Sequence, residues 1–197
     1  MAELKLEFDR FFEPILDKAV IRNNIDFQKG IYFWFVNEAS LNRLNIPINS
    51  NLHWVYRNNQ TLYLIYIGIG PSNQNVRRQF LKDRITKCHL GKHINQSTLR
   101  QSISALLEHR PYNKMVGQNM KIFIEKDLES EITDFISNGF SLGVLGHDEP
   151  WSIEGEFIHN YNPPINLSGN QNGWFYNEMS LRRATHRAIG AEDIRES

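Results

Sequence analysis

Leu4, Phe8, Phe11, Phe12, Ile15, Leu16 and Ala19 recur at three- and four-residue steps, which predicts an amphipathic helix within residues 1–25. Gly30 then opens a run rich in β-branched and aromatic residues, Ile31 to Val36, read as a strand. A short helical turn is expected over Glu38 to Leu44, ahead of Pro47. His53 to Arg57, the polar Asn58-Asn59-Gln60 and Thr61 to Ile67 read as a hairpin whose second arm ends in Gly68-Ile69-Gly70-Pro71. Val76, Phe80, Ile85 and Cys88 suit a helix with basic outer faces. Ser97-Thr98, with Gln101 behind them, suit the cap of another helix, running to about His109.

Further on, Met120 to Glu125 is a candidate third strand, and Asp127 to Asn138 a helix stopped by Gly139. Pro150 opens a helix with Ile153, Phe157, Ile158 and Tyr161 on its buried stripe, ended by Pro163-Pro164. A last helix is expected from about Tyr176 to Ile189, carrying Arg182, Arg183 and Arg187. The order predicts an α+β fold: a small antiparallel sheet of about three strands, covered by helices, with helical additions at 1–25 and 174–190. No repeat, low-complexity tract or long linker divides the 197 residues, so a single domain is expected.

Composition bounds the function. With 41% hydrophobic and 22% charged residues the chain has the make-up of an ordinary globular protein. The N-terminus is charged throughout and no stretch approaches a membrane span, so a protein outside the membrane is expected. The single cysteine, Cys88, excludes an intrachain disulfide and fits a cytoplasmic setting. Net charge is zero, unlike a generic nucleic-acid coat, yet the charge is unevenly spread. Between Val76 and Arg110, Arg77, Arg78, Lys82, Arg84, Lys87, Lys92, Arg100 and Arg110 face only Asp83 and Glu108. Between Ile124 and Glu156, nine acidic residues face Lys126 alone. Such polarity can set a phosphate-binding face beside an acidic one.

Two tripeptides carry the candidate chemistry: Gly30-Ile31-Tyr32 on one strand and Tyr66-Ile67-Gly68 on a later one. Downstream come Arg84, then His89, on a basic helix, and later Glu154 on the helix opened by Pro150. Pro163 follows that glutamate by nine residues and Asn166 by twelve. In this order the motifs resemble the GIY-YIG nucleases, over residues 30–166. Two spacings depart from that resemblance. The stretch between Tyr32 and Tyr66 is much longer than in minimal members. His89 also follows Arg84 by five residues where four is usual, which in an α-helix would turn it by about 100°.

The resemblance implies hydrolysis of phosphodiester bonds, most naturally in DNA. Glu154 would hold one Mg²⁺ or Mn²⁺ ion, a cation that needs few protein ligands, and the Arg84 guanidinium would meet the phosphate. It further implies that Tyr32 acts on the attacking water, that Tyr66 and His89 orient and assist, and that Asn166 braces the site. Arg77, Arg78, Lys82, Lys87, Lys92 and Arg100 are the expected nucleic-acid contacts. The alternative reading keeps the fold and the nucleic-acid binding without turnover. Cys88, His89 and His93 lack a second pair at zinc-ligand spacing, and Gly68-Ile69-Gly70 lacks the lysine of a phosphate-binding loop.

Overall fold

The computed structural model describes residues 2–3, 11–13, 18–26, 28–72, 80–91 and 93–195, the first two of these segments by their backbone alone. In chain order the elements are β1 (Ala2–Glu3), β2 (Phe11–Glu13), α1 (Lys18–Asn24), β3 (Gly30–Val36), α2 (Glu38–Arg43), β4 (His53–Arg57) and β5 (Gln60–Gly70). One α-helical turn, α3 (Leu81–Asp83), runs into a π turn (Arg84–His89), followed by a 3-10 turn (Ile94–Gln96) and α4 (Thr98–Leu106). Then come β6 (Tyr112–Val116), β7 (Asn119–Phe123), α5 (Lys126–Gly139), β8 (Phe140–Gly146), α6 (Pro150–Tyr161), α7 (Tyr176–Glu192) and β9 (Ile194–Arg195).

The α+β class holds, with a larger sheet than the hydrophobic pattern suggests. Six strands stand in the order β1-β4-β5-β3-β8-β2, all neighbours antiparallel except β1 beside β4. β3 lies at the centre and is buried along its whole length. Its side chains alternate: Tyr32, Trp34 and Val36 join one apolar cluster, and Ile31, Phe33 and Phe35 the other. The first cluster is closed by α4, α5 and the segment around the π turn, the second by α6 through Phe157, Ile158 and Tyr161. Burial on both faces explains the near-continuous apolar run, which otherwise marks parallel strands.

β5 keeps pace with β3 through a bulge, since Trp34 pairs with Tyr66 but Phe35 with Leu64. Ile65 is the extra residue, so Ile65 and Tyr66 both face the first cluster. The hairpin before it turns at Asn58 and Asn59, both at positive φ (51° and 58°), as the tightest two-residue turns require.

Two expectations are corrected. Phe11–Glu13 is a strand on β8, and among the described residues the N-terminal helix occupies only Lys18–Asn24. Pro14 is the sequence signal against one continuous helix through this region. Residues 4–10 and 14–17 lie outside the described residues. Met120–Glu125 supplies β7, which belongs to a separate three-stranded sheet, β7-β6-β9, and not to the main one. The third strand of the site is β8, paired with β3 along its length. Among the described residues no helix is long and apolar enough to cross a membrane.

Candidate active site

The two tripeptides lie side by side. Tyr32 stands opposite Gly68, and Gly30 opposite Gly70, across β3 and β5. A Cβ at Gly68 would fall within the Tyr32 ring, so glycine there lets the phenol lie flat across the neighbouring strand. Tyr66, two residues earlier on the same face, stacks on Tyr32 with ring centroids 6.4 Å apart.

The π turn brings the histidine in. Leu90 N–H donates to Ile85 O, five residues back, where an α-helix would reach four. Thr86 Oγ1 also donates to Lys82 O at 2.7 Å, a side-chain bond that bends helices. Gly91 closes the turn, where a Cβ would strike Lys87 O. Because a π turn takes in one additional residue, the fifth residue after Arg84 lands where the fourth lands in an α-helix. The 100° offset expected from the spacing is absorbed. His89 is fully buried, with Nε2 2.7 Å from Tyr32 Oη and Nδ1 2.7 Å from Ser97 Oγ. Ser97 is also the N-cap of α4, accepting from Arg100 N–H at 3.1 Å. The next residue, Thr98, shares a 2.8 Å hydrogen bond with Tyr66 Oη.

Arg84 is half-buried, and its positive charge lies near enough to the Tyr32 hydroxyl to favour the phenolate. Burial works against its charge, but the phenols around it outweigh burial and hold its pKa above the usual arginine value. Burial pushes the Tyr32 phenol well above its ordinary value, with Tyr66 adding to the rise and Arg84 opposing it. His89 goes the other way. Burial, then the positive charges of Arg84 and Arg100, hold it well below 6.5, so the imidazole is neutral.

Glu154 sits on α6 within electrostatic range of Arg84, Tyr32 and Tyr66. It is half-buried, and burial raises its pKa against the pull of Arg84. Its carboxylate makes no hydrogen bond or short ion pair with any described residue. Glu156, two residues on, is exposed. Asn166 closes the site beneath Tyr66: its Oδ1 accepts from Ile67 N–H and its Nδ2 donates to Ile67 O, both at 2.8 Å. β4 covers β5 only from Gln60 to Tyr63, and beyond that Asn166, with Ile165 N–H donating to Ile65 O at 3.1 Å, takes over the open strand edge.

The expected surface contacts divide. Lys87 is exposed and paired with Asp83 at 2.8 Å. Lys82 Nζ donates to Arg22 O at 3.1 Å. Arg77, Arg78 and Lys92 lie outside the described residues. Arg100 is corrected outright: it is fully buried, donating to Glu129 Oε2 at 2.7 Å, Glu129 O at 2.9 Å and Thr133 Oγ1 at 3.0 Å. A guanidinium so enclosed holds α4 to α5 and cannot reach a phosphate backbone. Sequence reading missed the second partners, Ser97 and Thr98, because a helix cap accounts for both residue types. It also missed Arg183 and Arg187, which line a cavity together with Tyr66, Glu154 and Asn166.

Gly30-Ile31-Tyr32 on the central strand thus stands against Tyr66-Ile67-Gly68, with Arg84 and the helical Glu154 near the two tyrosines. The family model described as the GIY-YIG catalytic domain matches residues 30–185, and the chain belongs to that family. The match runs past Asn166 into α7, which the motif spacing had left outside the domain core. No curated protein and no solved structure matches the chain.

Proposed function

We propose that the protein is a divalent-metal-dependent endonuclease that hydrolyses phosphodiester bonds of DNA, with Tyr32, His89, Arg84 and Glu154 as its working groups. The observation that carries this reading is the hydrogen-bonded chain Tyr32–His89–Ser97, pressed by Arg84 and placed near a carboxylate that no described cation neutralises at contact distance. A half-buried carboxylate in that state fits one hard cation. Mg²⁺ or Mn²⁺ would bind Glu154 and keep most of its waters, so further protein ligands are not required. Such an ion, when bound, supplies charge stabilisation to the leaving oxygen. Asn166 is no ligand in this arrangement, because both ends of its amide are taken by Ile67.

The protein's own groups do the remaining work. Arg84 draws the phosphoryl oxygens with a charge that burial does not remove. Tyr32 takes a proton from the attacking water while its own phenolic proton passes to His89 Nε2, across the 2.7 Å bond. In that transfer His89 is protonated at Nδ1 and donates there to Ser97. The buried, cation-flanked imidazole does not hold two protons for long; once the product leaves, His89 hands one back to Tyr32 as Tyr32 releases the proton gained from water to solvent. Tyr66, anchored on Thr98, fixes the Tyr32 ring by stacking. A cytoplasmic setting accompanies this reading.

Incubation of the pure protein with supercoiled plasmid tests it. Nicking in Mg²⁺ or Mn²⁺ that stops on chelation is the expected result. Binding without any strand cleavage in either metal would instead leave a nucleic-acid-binding module on the same fold.

A further inference from the structure

Arg183 stands apart from the other buried or paired arginines of this protein. It is buried, and its guanidinium donates to Thr98 O at 3.2 Å, Ser102 Oγ at 3.1 Å and Gln101 Oε1, all neutral acceptors. Arg100, more deeply buried and lining no cavity with it, has Glu129, and Arg182, the preceding residue, has Glu178 and Glu108. Among the described residues Arg183 has no carboxylate partner. An uncompensated buried charge is costly, and it persists in folded proteins where something else supplies the opposite sign. Burial, and then the nearby Arg187, lower its pKa to about 10.

Arg187 follows by four residues, on the same side of α7, and is exposed. Like charges at this helical spacing repel. Both arginines nevertheless line one cavity of roughly 290 Å³, and Glu154 and Tyr66 line the same cavity. Among the described residues, two arginines without a carboxylate partner therefore share a space with a carboxylate that has no cation at contact distance, the arrangement of an anion site beside a cation site.

We propose that Arg183 and Arg187 form a phosphate-binding subsite that takes the non-bridging oxygens of the phosphate next to the scissile one on the substrate strand. The proposal rests on the endonuclease reading and adds the substrate contact which that reading lacks. A planar guanidinium matches two phosphate oxygens at once, and the three neutral bonds hold the Arg183 fork in position before the strand arrives. Arg187 stands at the mouth of the same cavity and meets the strand from solvent. The subsite fixes which bond of the strand lies over Glu154, so it sets the register of cleavage as well as affinity.

The test is fluorescence anisotropy of a short labelled DNA duplex, without divalent metal, titrated with the protein over a series of salt concentrations. Arg187→Ala, at an exposed position, is expected to melt with the parent and to bind about 10-fold more weakly. The slope of log affinity against log salt should flatten by about 1, as the loss of one phosphate contact requires. Arg183→Lys keeps the charge and loses the fork, so affinity should fall several-fold while the slope stays. Arg182→Ala, which removes only surface ion pairs, should change neither. Parental affinity and slope in Arg187→Ala overturn the subsite and leave the nuclease reading standing. A parent protein that neither binds nor cuts DNA overturns the reading on which the subsite rests, and the subsite with it.

Discussion

Tyr32 is the residue on which burial and charge compete most directly. Its hydroxyl is enclosed, which keeps it protonated, and Arg84 beside it favours the phenolate. Tyr32→Phe retains the ring on Gly68 and removes one oxygen. Stability should fall by no more than about 1–2 kcal/mol, the worth of one hydrogen bond. Turnover should fall about 100-fold or more, the usual contribution of proton transfer by a positioned group. A Tyr32→Phe protein that cuts at the parental rate would remove the phenol from the chemistry. Arg84→Ala should lower turnover by orders of magnitude with little change in melting temperature, whereas Lys87→Ala should chiefly weaken binding and reduce its salt dependence. Equal, modest effects from both would take away the distinction between Arg84 and its basic neighbours. That Tyr32, Tyr66, Arg84, Glu154 and Asn166 would come together in the fold was legible from motif order, since no single one of these residue types says so alone. Arg100 was misread for a related reason: a basic residue in a basic window looks like surface, and only the packing of α4 against Glu129 shows otherwise.

At the level of elements the π turn is what reconciles sequence spacing with geometry. Deleting Lys87, an exposed residue within the turn, shortens the Arg84-to-His89 step from five residues to four and should return the segment to α-helix. His89 would then keep its place against Tyr32, and activity should stay within about 10-fold of the parent, since a π turn differs from an α turn by that one residue. Complete loss of activity with an unchanged melting temperature would contradict this account of the turn. Asn166→Ala should act through structure. It leaves the N–H and C=O of Ile67 unpaired on a buried strand edge, at about 1–3 kcal/mol for each group left unsatisfied. A lowered melting point, together with lowered turnover, is the expected pair of observations. The helices opened by Ser97 and by Pro150 were readable from their first residues. β8 was not, because it follows α5 without an intervening loop and its two glycines, Gly143 within it and Gly146 at its end, resemble a turn. The bulge at Ile65 was equally hidden, for a change of phase in an all-apolar strand leaves no mark on the hydrophobic pattern.

For the whole molecule, acid sensitivity follows from its buried histidines. His89, His109 and His186 are all held below 6.5, chiefly by burial, and His186 down to about 4. The unfolded chain takes up protons at these positions near pH 6.5, and the folded chain resists until lower pH. Stability is therefore fully present above about 6.5 and is lost progressively as pH falls toward 4. Thermal unfolding followed from pH 8 to pH 4 should show the midpoint falling from about pH 6.5 downward. A flat profile would mean that these histidines titrate alike in the folded and unfolded chain. Glu154 contributes with the opposite sign. Its pKa is raised by burial, so its ionised form costs stability at neutral pH, and Glu154→Gln should melt at or above the parental temperature. That makes it a clean probe of function, since loss of activity cannot be ascribed to loss of fold. The direct measurement is the rate of plasmid nicking in Mg²⁺ by Glu154→Gln and Glu156→Gln side by side. The two carboxylates lie about 200° apart around α6, and only the first is near Arg84. Glu154→Gln should fall to background while Glu156→Gln stays within a few-fold of the parent; parental cleavage by Glu154→Gln would contradict the role of Glu154 as the metal-holding carboxylate.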